Sequence, residues 1–181
     1  IAHFDADGVA DEALGHRYPR VGIMTNIPAA TAEGKAGKGM LLDQALSYDA
    51  RHNVPGRQGS ITCQLKFDAS SSGTLLSLGP VNVSVKDGKM KLVQGNQTAE
   101  GDLKLPAGPA WHEVSVRWKD AELRILCDAT EVAVLKLENP VEIPLARGLG
   151  IRDYRTRTDT PTFSLGPIKG AVIDDLIIKR E

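Results

Sequence analysis

The chain has few aromatic residues and no excess of charge of either sign. Aromatic residues make up 4% of its 181 residues, and the formal net charge is -1. A balanced charge gives no general attraction to nucleic acid or to an anionic surface. No apolar run reaches the length of about 20 residues that a membrane-spanning helix needs. We therefore expect a globular protein that neither binds nucleic acid nor spans a membrane.

Cysteine is also scarce, and its spacing excludes a zinc site of the usual kind. Cys63 and Cys127 are the 2 cysteines, they lie far apart in sequence, and neither belongs to a CxxC motif. Both fall in predicted strands. A disulfide between them would close a long loop and stabilise the fold, whereas two buried thiols would act as small apolar residues. Both interpretations stay open, because the sequence does not give the separation of the Cα atoms.

Short segments in which apolar and polar residues alternate dominate the chain, and Gly, Pro, Asp and Asn separate them. In the segment 60–67 the apolar residues Ile61, Cys63, Leu65 and Phe67 fall on one face. Similar strands are predicted over 81–85, 111–118 and 123–127. The pattern predicts an all-β fold, a two-sheet antiparallel β-sandwich, and a single domain over residues 1–181.

The segment before the first of these strands lacks a clear period. Residues 28–36 contain Ala, Thr and Glu, and we expect one short helical turn there. Residues 34–39 read Gly-Lys-Ala-Gly-Lys-Gly, which lacks the GxxxxGK[ST] order of a phosphate-binding loop. This stretch is interpreted as a flexible loop that leads into a strand.

Four motifs, in this order, resemble those of concanavalin A-like lectin/glucanase domains of the laminin-G-like branch. The opening motifs are HFD at residues 3–5 and GKGMLL at 37–42. The hairpin motif is WHEVSVRW at 111–118 with LRILCD at 123–128, and the closing strand is GAVIDDLII at 170–178. The resemblance implies a jelly-roll sandwich in a secreted, periplasmic or cell-surface protein. It also implies contact with glycans, often beside the catalytic domain of a glycosidase, sialidase, sulfatase or polysaccharide lyase.

Catalytic motifs are missing. The hydrolytic members of the superfamily carry Glu-x-Asp-x-(x)-Glu on one strand, which this chain lacks. Asp174 and Asp175 are adjacent, so on a strand they point to opposite faces. No GxSxG motif is present. We predict a protein that is not an enzyme; the alternative is a glycoside hydrolase whose carboxylates come from separate strands.

A loop rich in arginine is the first candidate for a glycan-binding site. Arginine forks suit carboxylate or sulfate groups, so an acidic glycan could dock on this loop. The alternative is a solvated loop in which the arginines pair with nearby acidic residues. The candidate residues are Arg152, Tyr154, Arg155 and Arg157.

The two tryptophans offer little for sugar stacking. Trp111 and Trp118 are seven residues apart, so alternation places them on opposite faces of a strand. Trp118 shares the parity of Val114 and Val116, which predicts that it packs in the core. In related domains the strand that matches 61–67 often carries a tryptophan, but Leu65 stands here. This departure from the family weakens the expectation of an aromatic platform.

The resemblance also implies a structural Ca²⁺ between the terminal strands. Asp5 and Asp7 could approach Asp174 or Asp175, and together they would supply the oxygen ligands that calcium prefers. The alternative interpretation of Asp5-Ala6-Asp7-Gly8 is a polar turn after a strand.

The sequence thus predicts a secreted, non-catalytic carbohydrate-binding or accessory module. Its expected partner is a glycan, including an acidic one, or a neighbouring catalytic domain. The alternative is a structural or protein-interaction sandwich without affinity for glycans.

Overall fold

The structure is a computed structural model, and it describes residues 2–4, 10–12, 30–50, 54–141, 143 and 162–180. All regular structure in these ranges is β-strand, which confirms the predicted all-β class. No helix in these ranges has the length and apolarity to cross a membrane. The strands are β1 (Ala2–Phe4), β2 (Ala10–Glu12), β3 (Thr31–Glu33), β4 (Lys38–Leu41), β5 (Leu46–Asp49), β6 (Gly59–Phe67), β7 (Gly73–Leu78), β8 (Val81–Lys86), β9 (Lys89–Gln94), β10 (Gln97–Asp102), β11 (Ala110–Lys119), β12 (Glu122–Cys127), β13 (Thr130–Lys136), β14 (Thr162–Leu165) and β15 (Val172–Lys179).

These strands form two antiparallel sheets. The large sheet has the order β13-β12-β11-β6-β15-β1-β2, with β4 paired to β15 and β3 paired to β4. The small sheet has the order β10-β9-β8-β7-β14-β5. At one edge β13 of the large sheet contacts β10 of the small sheet. A Cβ at Gly101 would lie 1.8 Å from the carbonyl oxygen of Val132, so only glycine permits this approach. The predicted two-sheet sandwich is confirmed.

The core lies between the sheets, and it is built by the alternation seen in the sequence. Leu65 at the centre of β6 is fully buried, as are Val83 on β8 and Met90 on β9. Close packing of this kind makes truncation costly, and Leu65→Ala would lower the free energy of unfolding by about 2–5 kcal/mol. The core fills the inward face of the large sheet, so this face cannot carry a binding site. A site on either face of this sheet must therefore lie on its outer face.

The hairpin turns use backbone conformations that short polar residues tolerate. Asp87 and Gly88 have φ of 50° and 69° in the β8–β9 turn, as the Asp-Gly pair predicts. Asp128 and Ala129 have φ of 50° and 62° in the β12–β13 turn. Positive φ at both central residues matches the right-handed twist of the flanking strands. The first turn fixes the register of β8 and β9 in the small sheet, and the second fixes that of β12 and β13 in the large sheet.

The expected helical turn over 28–36 is wrong for the part that the structure describes. Thr31–Glu33 forms β3, which pairs with β4 through Glu33 and Lys38. The segment 34–37 is the connection between them, and Gly37 has φ 84°. A single helical turn has little intrinsic stability in water, so pairing with a strand that docks on β15 prevails. Residues 28–29 lie outside the described residues.

Both cysteines are free thiols that face the core. Cys63 pairs with Val114, and Val114 pairs with Cys127 on its other side. Two strand spacings separate the cysteines by about 10 Å, well above the roughly 4.4–6.8 Å between Cα atoms in a disulfide. Burial raises the pKa of Cys63 to about 12 and that of Cys127 to about 11. Of the two interpretations left open by the sequence, the structure favours buried thiols.

We predict that neither thiol of the folded protein reacts rapidly with a disulfide reagent at pH 8. A raised pKa keeps a thiol protonated, and only the thiolate is nucleophilic. Both thiols should react after denaturation. Cys127 should be the faster in the native state, because it is 9% exposed and Cys63 is 3% exposed. A Cys63→Ser variant shows which rate belongs to which cysteine. If the protein, once denatured without a reductant, had no thiol that reacts, the structure would be contradicted.

Candidate functional site

The outer face of the large sheet carries small polar residues at its centre and long charged residues around them. Ser60 and Thr62 of β6 lie opposite Arg117 and Ser115 of β11. Ser60 and Ser115 are 5% and 3% exposed, although alternation places them on the outer face. Their hydroxyls thus lie deep beneath longer neighbours, and the Thr62 and Ser115 oxygens are 2.9 Å apart in a hydrogen bond. The centre of the outer face is therefore polar and recessed below the surrounding side chains.

A groove opens beside this centre, on the β11–β12 hairpin. The register pairs Arg117 with Arg124 and Lys119 with Glu122, so all four side chains share the outer face. Leu126, which is half-buried, adds an apolar contact surface. The cavity has a volume of about 300 Å³ and is lined by Arg117, Lys119, Glu122, Arg124 and Leu126. We call it the arginine groove.

Acidic residues on both sides hold the guanidinium of Arg124. Its Nε donates to Glu122, and its Nη1 donates to Glu131 on β13 at 2.6 Å. The hydrogen bond with Glu122 is the main reason that the pKa of Arg124 is raised. Exposed ion pairs of this kind add little to stability. Their effect is instead to orient Arg124, because the two carboxylates fix the plane of its guanidinium within the groove.

Arg117 is oriented by the serine at the centre of the face. Its Nε donates to the Oγ of Ser115 at 3.4 Å. Ser115 in turn shares its hydrogen bond with Thr62. The guanidinium of Arg117 therefore leans towards the recessed polar centre of the outer face. Arg124 lies opposite Arg117 in the β11–β12 pairing.

The opposite end of the outer face has a different character. Lys35 Nζ donates to Gln64 Oε1 at 2.8 Å, and Gln64 Nε2 donates to Glu113 at 3.4 Å. Trp111 is half-buried here and lies opposite Lys66. Trp111 lies four positions before Ser115, which is about 13 Å along β11. Trp111 is thus not a wall of the arginine groove.

The remaining aromatic expectations concern the core. Trp118 is 1% exposed, and its Nε1 donates to the carbonyl of Pro55 at 3.1 Å, which confirms its predicted core position. Leu65 is fully buried and faces the core. A tryptophan at position 65 would therefore point away from the outer face.

Asp174, a predicted calcium ligand, binds backbone amides. Its Oδ2 accepts from the N–H of Lys35 at 2.9 Å and of Ala36 at 3.3 Å, and its Oδ1 accepts from Asp175 at 2.9 Å. A Cβ at Gly34 would lie 2.7 Å from this carboxylate, so glycine lets the loop 34–37 close over it. The glycine-rich loop thus does bind an anionic group, but the group is a side chain of the same protein.

These three hydrogen bonds use much of the acceptor capacity of Asp174. A cation needs lone pairs on oxygen, whereas three N–H donors already point at this carboxylate. The side chain is also buried, and Asp174 is 2% exposed. Asp5 and Asp7 lie outside the described residues, and the calcium site as a whole stays a prediction.

The arginine-rich loop with Arg152, Tyr154, Arg155 and Arg157 also lies outside the described residues. The structure instead shows a groove that the sequence reasoning missed. The signal was present in the hairpin, where positions 117, 119, 122 and 124 are all charged. Because the loop between the strands has two residues, these positions must share one face. A search for charged residues of one parity across a hairpin would have found them.

A second polar cluster lies at the far end of the same hairpin. His112 is 6% exposed, and its Nδ1 donates to Asp128 Oδ2 at 2.7 Å, because a carboxylate only accepts. The backbone N–H of Glu113 donates to Asp128 Oδ1 at 2.9 Å. Ligand atoms of His112, Cys127 and Asp128 lie within 4.8 Å of one another, a grouping that could hold a metal ion.

The bonds within this cluster favour a structural role. Both oxygens of Asp128 accept hydrogen bonds from β11, so the carboxylate ties the β12–β13 turn to the neighbouring strand. Partial burial alone would raise the pKa of Asp128, but the hydrogen bonds from His112 and Glu113 lower it below its ordinary value. The ring of His112 also packs edge-on against Phe67, with centroids 5.2 Å apart.

Comparison with known proteins supports the β-sandwich fold. No family model and no curated protein matches the sequence. Solved structures do match, although at identities that show the fold alone. Domain 4 of AbnA, an extracellular arabinanase of Geobacillus stearothermophilus solved with arabinotriose, has a TM-score of 0.58 at 20% identity, over 84% of this chain and 75% of that one.

Two further structures are similar. The CBM40 of the Ruminococcus gnavus IT-sialidase, solved with alpha2,3 sialyllactose, has a TM-score of 0.55 at 15% identity, over 79% of this chain and 89% of its own. The binding domain of botulinum neurotoxin serotype D has a TM-score of 0.59 at 9% identity over 100% of this chain. The chain spans 47% of that domain, about half its length. The fold is a β-sandwich shared with lectins and carbohydrate-binding modules.

We predict that Asp128→Asn weakens the fold at pH 7 by about 1 kcal/mol, a small effect because the side chain is half-exposed. Asparagine tolerates the positive φ of this turn, so the variant removes only the charge. A carboxyl whose folded pKa is depressed stabilises the protein above its unfolded pKa, and this stability disappears as the pH falls through the folded pKa. The difference between parent and variant should therefore shrink below about pH 4.

Urea unfolding at pH 7 and pH 3 measures this difference. The control is Asp102→Asn, because the side chain of Asp102 is 83% exposed and its only described ion pair is with Lys89. Asp68, whose pKa is lowered by its hydrogen bond with Ser70, keeps part of the acid dependence in every variant. An Asp128→Asn protein as stable as the parent at pH 7 would show that the turn does not depend on this carboxylate.

Proposed function

We propose that the chain is a non-catalytic carbohydrate-binding module of the concanavalin A-like, laminin-G-like type. In this proposal residues 1–181 form one domain of a secreted, periplasmic or cell-surface protein, and a catalytic domain is its neighbour. The sandwich that it shares with a sialidase module and an arabinanase domain supports this assignment. The sequence motifs quoted above support the finer one.

The arginine groove is the observation that carries the proposal. Sugars present hydroxyls that pair with fixed polar groups and C–H faces that pack on apolar side chains. The groove supplies both kinds of contact, because Leu126 lies beside Arg117, Arg124 and Glu122. Binding is favoured when the polar groups are positioned in advance, and Arg124 is held by two carboxylates.

The groove is less suited to hydrolysis. A glycosidase needs one carboxyl that holds a proton and another that is ionised. Glu122 and Glu131 come from separate strands and converge on Arg124. The pair therefore acts as a support for Arg124 rather than as an acid and a base.

A protein partner would need a different surface. Continuous apolar patches mark protein interfaces. Leu126 and Ile177 lie on the same row across the outer face. Ser115 and Thr62 lie between them. The described outer face is thus interrupted by polar groups, which favours a glycan over an apolar protein partner.

We expect the chain to bind at least one class of glycan without releasing product. The test is a glycan array that contains neutral, sulfated, uronate-bearing and sialylated glycans, with calcium and with a chelator. The strongest glycan is then titrated calorimetrically. Leu126→Ala should weaken binding about tenfold, because it removes an apolar contact surface. The control Val93→Ala truncates a half-buried residue on β9 of the small sheet, and it should bind like the parent.

Two results would contradict the proposal. Silence of the whole array up to about 1 mM, a weak affinity by any standard, would leave the protein-interaction alternative. Release of shortened sugars would show catalysis. Binding that depends on calcium would support the predicted site with Asp5, Asp7 and Asp174, and it would leave the module assignment intact.

A further inference from the structure

Trp111 is a large aromatic side chain that lies outside the core. Its parity on β11 places it on the outer face of the large sheet, opposite Lys66. It is half-buried, and it belongs neither to the described core nor to the partly buried apolar residues that pack against that core. Among the described residues, none accepts a hydrogen bond from its indole N–H. Part of the ring is therefore available to a ligand.

Two polar side chains lie beside this ring. Glu113 follows Trp111 by two positions on the same face, and Gln64 lies opposite Glu113 on β6. The Oε1 of Gln64 accepts from the Nζ of Lys35 at 2.8 Å, which orients the amide. The Nε2 of Gln64 donates to Glu113 at 3.4 Å, so its second N–H and further lone pairs of the carboxylate remain for a ligand. We call Trp111, Gln64 and Glu113 the Trp111 platform.

The charges around the Trp111 platform balance. Lys35 and Lys66 lie near two carboxylates, that of Glu113 and that of Asp128, which accepts from the backbone N–H of Glu113. A site with both signs of charge gives no advantage to an anion. A sugar ring, in contrast, has an apolar C–H face that packs on an indole and hydroxyls that both donate and accept. The platform therefore suits a neutral sugar residue.

The Trp111 platform and the arginine groove belong to one continuous face. Leu126 of the groove lies opposite Ser115, so the Cα atoms of Leu126 and Trp111 are about 14 Å apart across one strand spacing and four residues. Between them lie the recessed hydroxyls of Ser115 and Thr62. A single sugar ring is shorter than this distance, whereas an oligosaccharide can cover it. This continuity indicates that one glycan reaches both places.

We propose that Trp111 stacks on the C–H face of a neutral sugar residue, that Gln64 and Glu113 bind the hydroxyls of this residue, and that the same glycan extends to the arginine groove. The inference rests on the proposed function and deepens it, because the module then recognises an oligosaccharide rather than a single sugar. The aromatic surface that the strand 61–67 lacks is supplied by β11.

The experiment measures how affinity depends on the length of the glycan. Calorimetric titrations of the full chain use arabino-, galacto- and gluco-oligosaccharides, each from the monosaccharide to the pentasaccharide. In at least one series the longest member should bind about tenfold or more tightly than the shortest, because only a long glycan contacts both Leu126 and the indole.

Variants locate this gain at the Trp111 platform. Trp111→Ala should abolish most of the gain with length, and Trp111→Phe should keep part of it, because phenylalanine retains an aromatic face. Gln64→Met keeps the size of the side chain and should weaken the longest member about fivefold by removing hydrogen bonds. The control Val93→Ala lies on β9 of the small sheet and should bind like the parent. Thermal unfolding shows that each variant is folded.

Fluorescence separates a binding role of Trp111 from a structural one. The chain has 2 tryptophans, and Trp118 is 1% exposed, so acrylamide should quench mainly Trp111. A saturating oligosaccharide should protect Trp111 from the quencher. The Trp111→Phe variant gives the background, and its quenching should not respond to the glycan.

The outcomes separate this inference from the proposed function. If affinity does not depend on length, if Trp111→Ala keeps the gain, or if the bound glycan leaves Trp111 open to acrylamide, the inference fails and the module assignment stands. The same holds if the chain binds glycans on the array but no member of the three neutral series. If no glycan of any kind binds, both fail.

Discussion

The register of β6, β11 and β12 is the constraint on which the rest of the structure depends. Alternation along these three strands sends one set of side chains into the core and the other set to the outer face. The inward set includes Trp118 and Val114, and it is close-packed against the small sheet. A slip of one residue would bury the charged side chain of Arg117 and expose Trp118. Both changes would destabilise the fold. The core therefore fixes the position of the groove as firmly as it fixes the fold.

Local backbone chemistry maintains this register at both ends of the hairpins. Asp128 adopts a left-handed conformation, and its carboxylate binds groups of β11. Asp174 binds the loop 34–37 to β15 in the same manner. In both places a carboxylate accepts backbone N–H groups that strand pairing leaves unused. The acidic residues that look available for chemistry in the sequence are thus partly consumed by the fold.

The fold was more predictable from the sequence than the site, for physical reasons. A period of two and Asp-Gly turns are local signals, and they predicted β6, the hairpin with Trp118 in the core, and the two sheets. The segment Thr31–Glu33 was expected to be helical, because its partner β4 is held in place by β15, which is far away in the chain. The calcium site with Asp174 stays a prediction, and the sequence did not reveal which N–H donors reach this carboxylate. The groove was missed because it requires the register of two strands rather than the pattern of one.

The central claim is that glycan recognition occurs on the outer face of the large sheet. The most direct measurement is the mapping of backbone amide chemical shifts by NMR during titration with the strongest glycan of the array. The account predicts that the perturbed amides cluster on β11 and β12 around Arg117, Arg124 and Leu126. Perturbations that cluster on the small sheet, or only in the arginine-rich loop around Arg152 and Arg157, would contradict it.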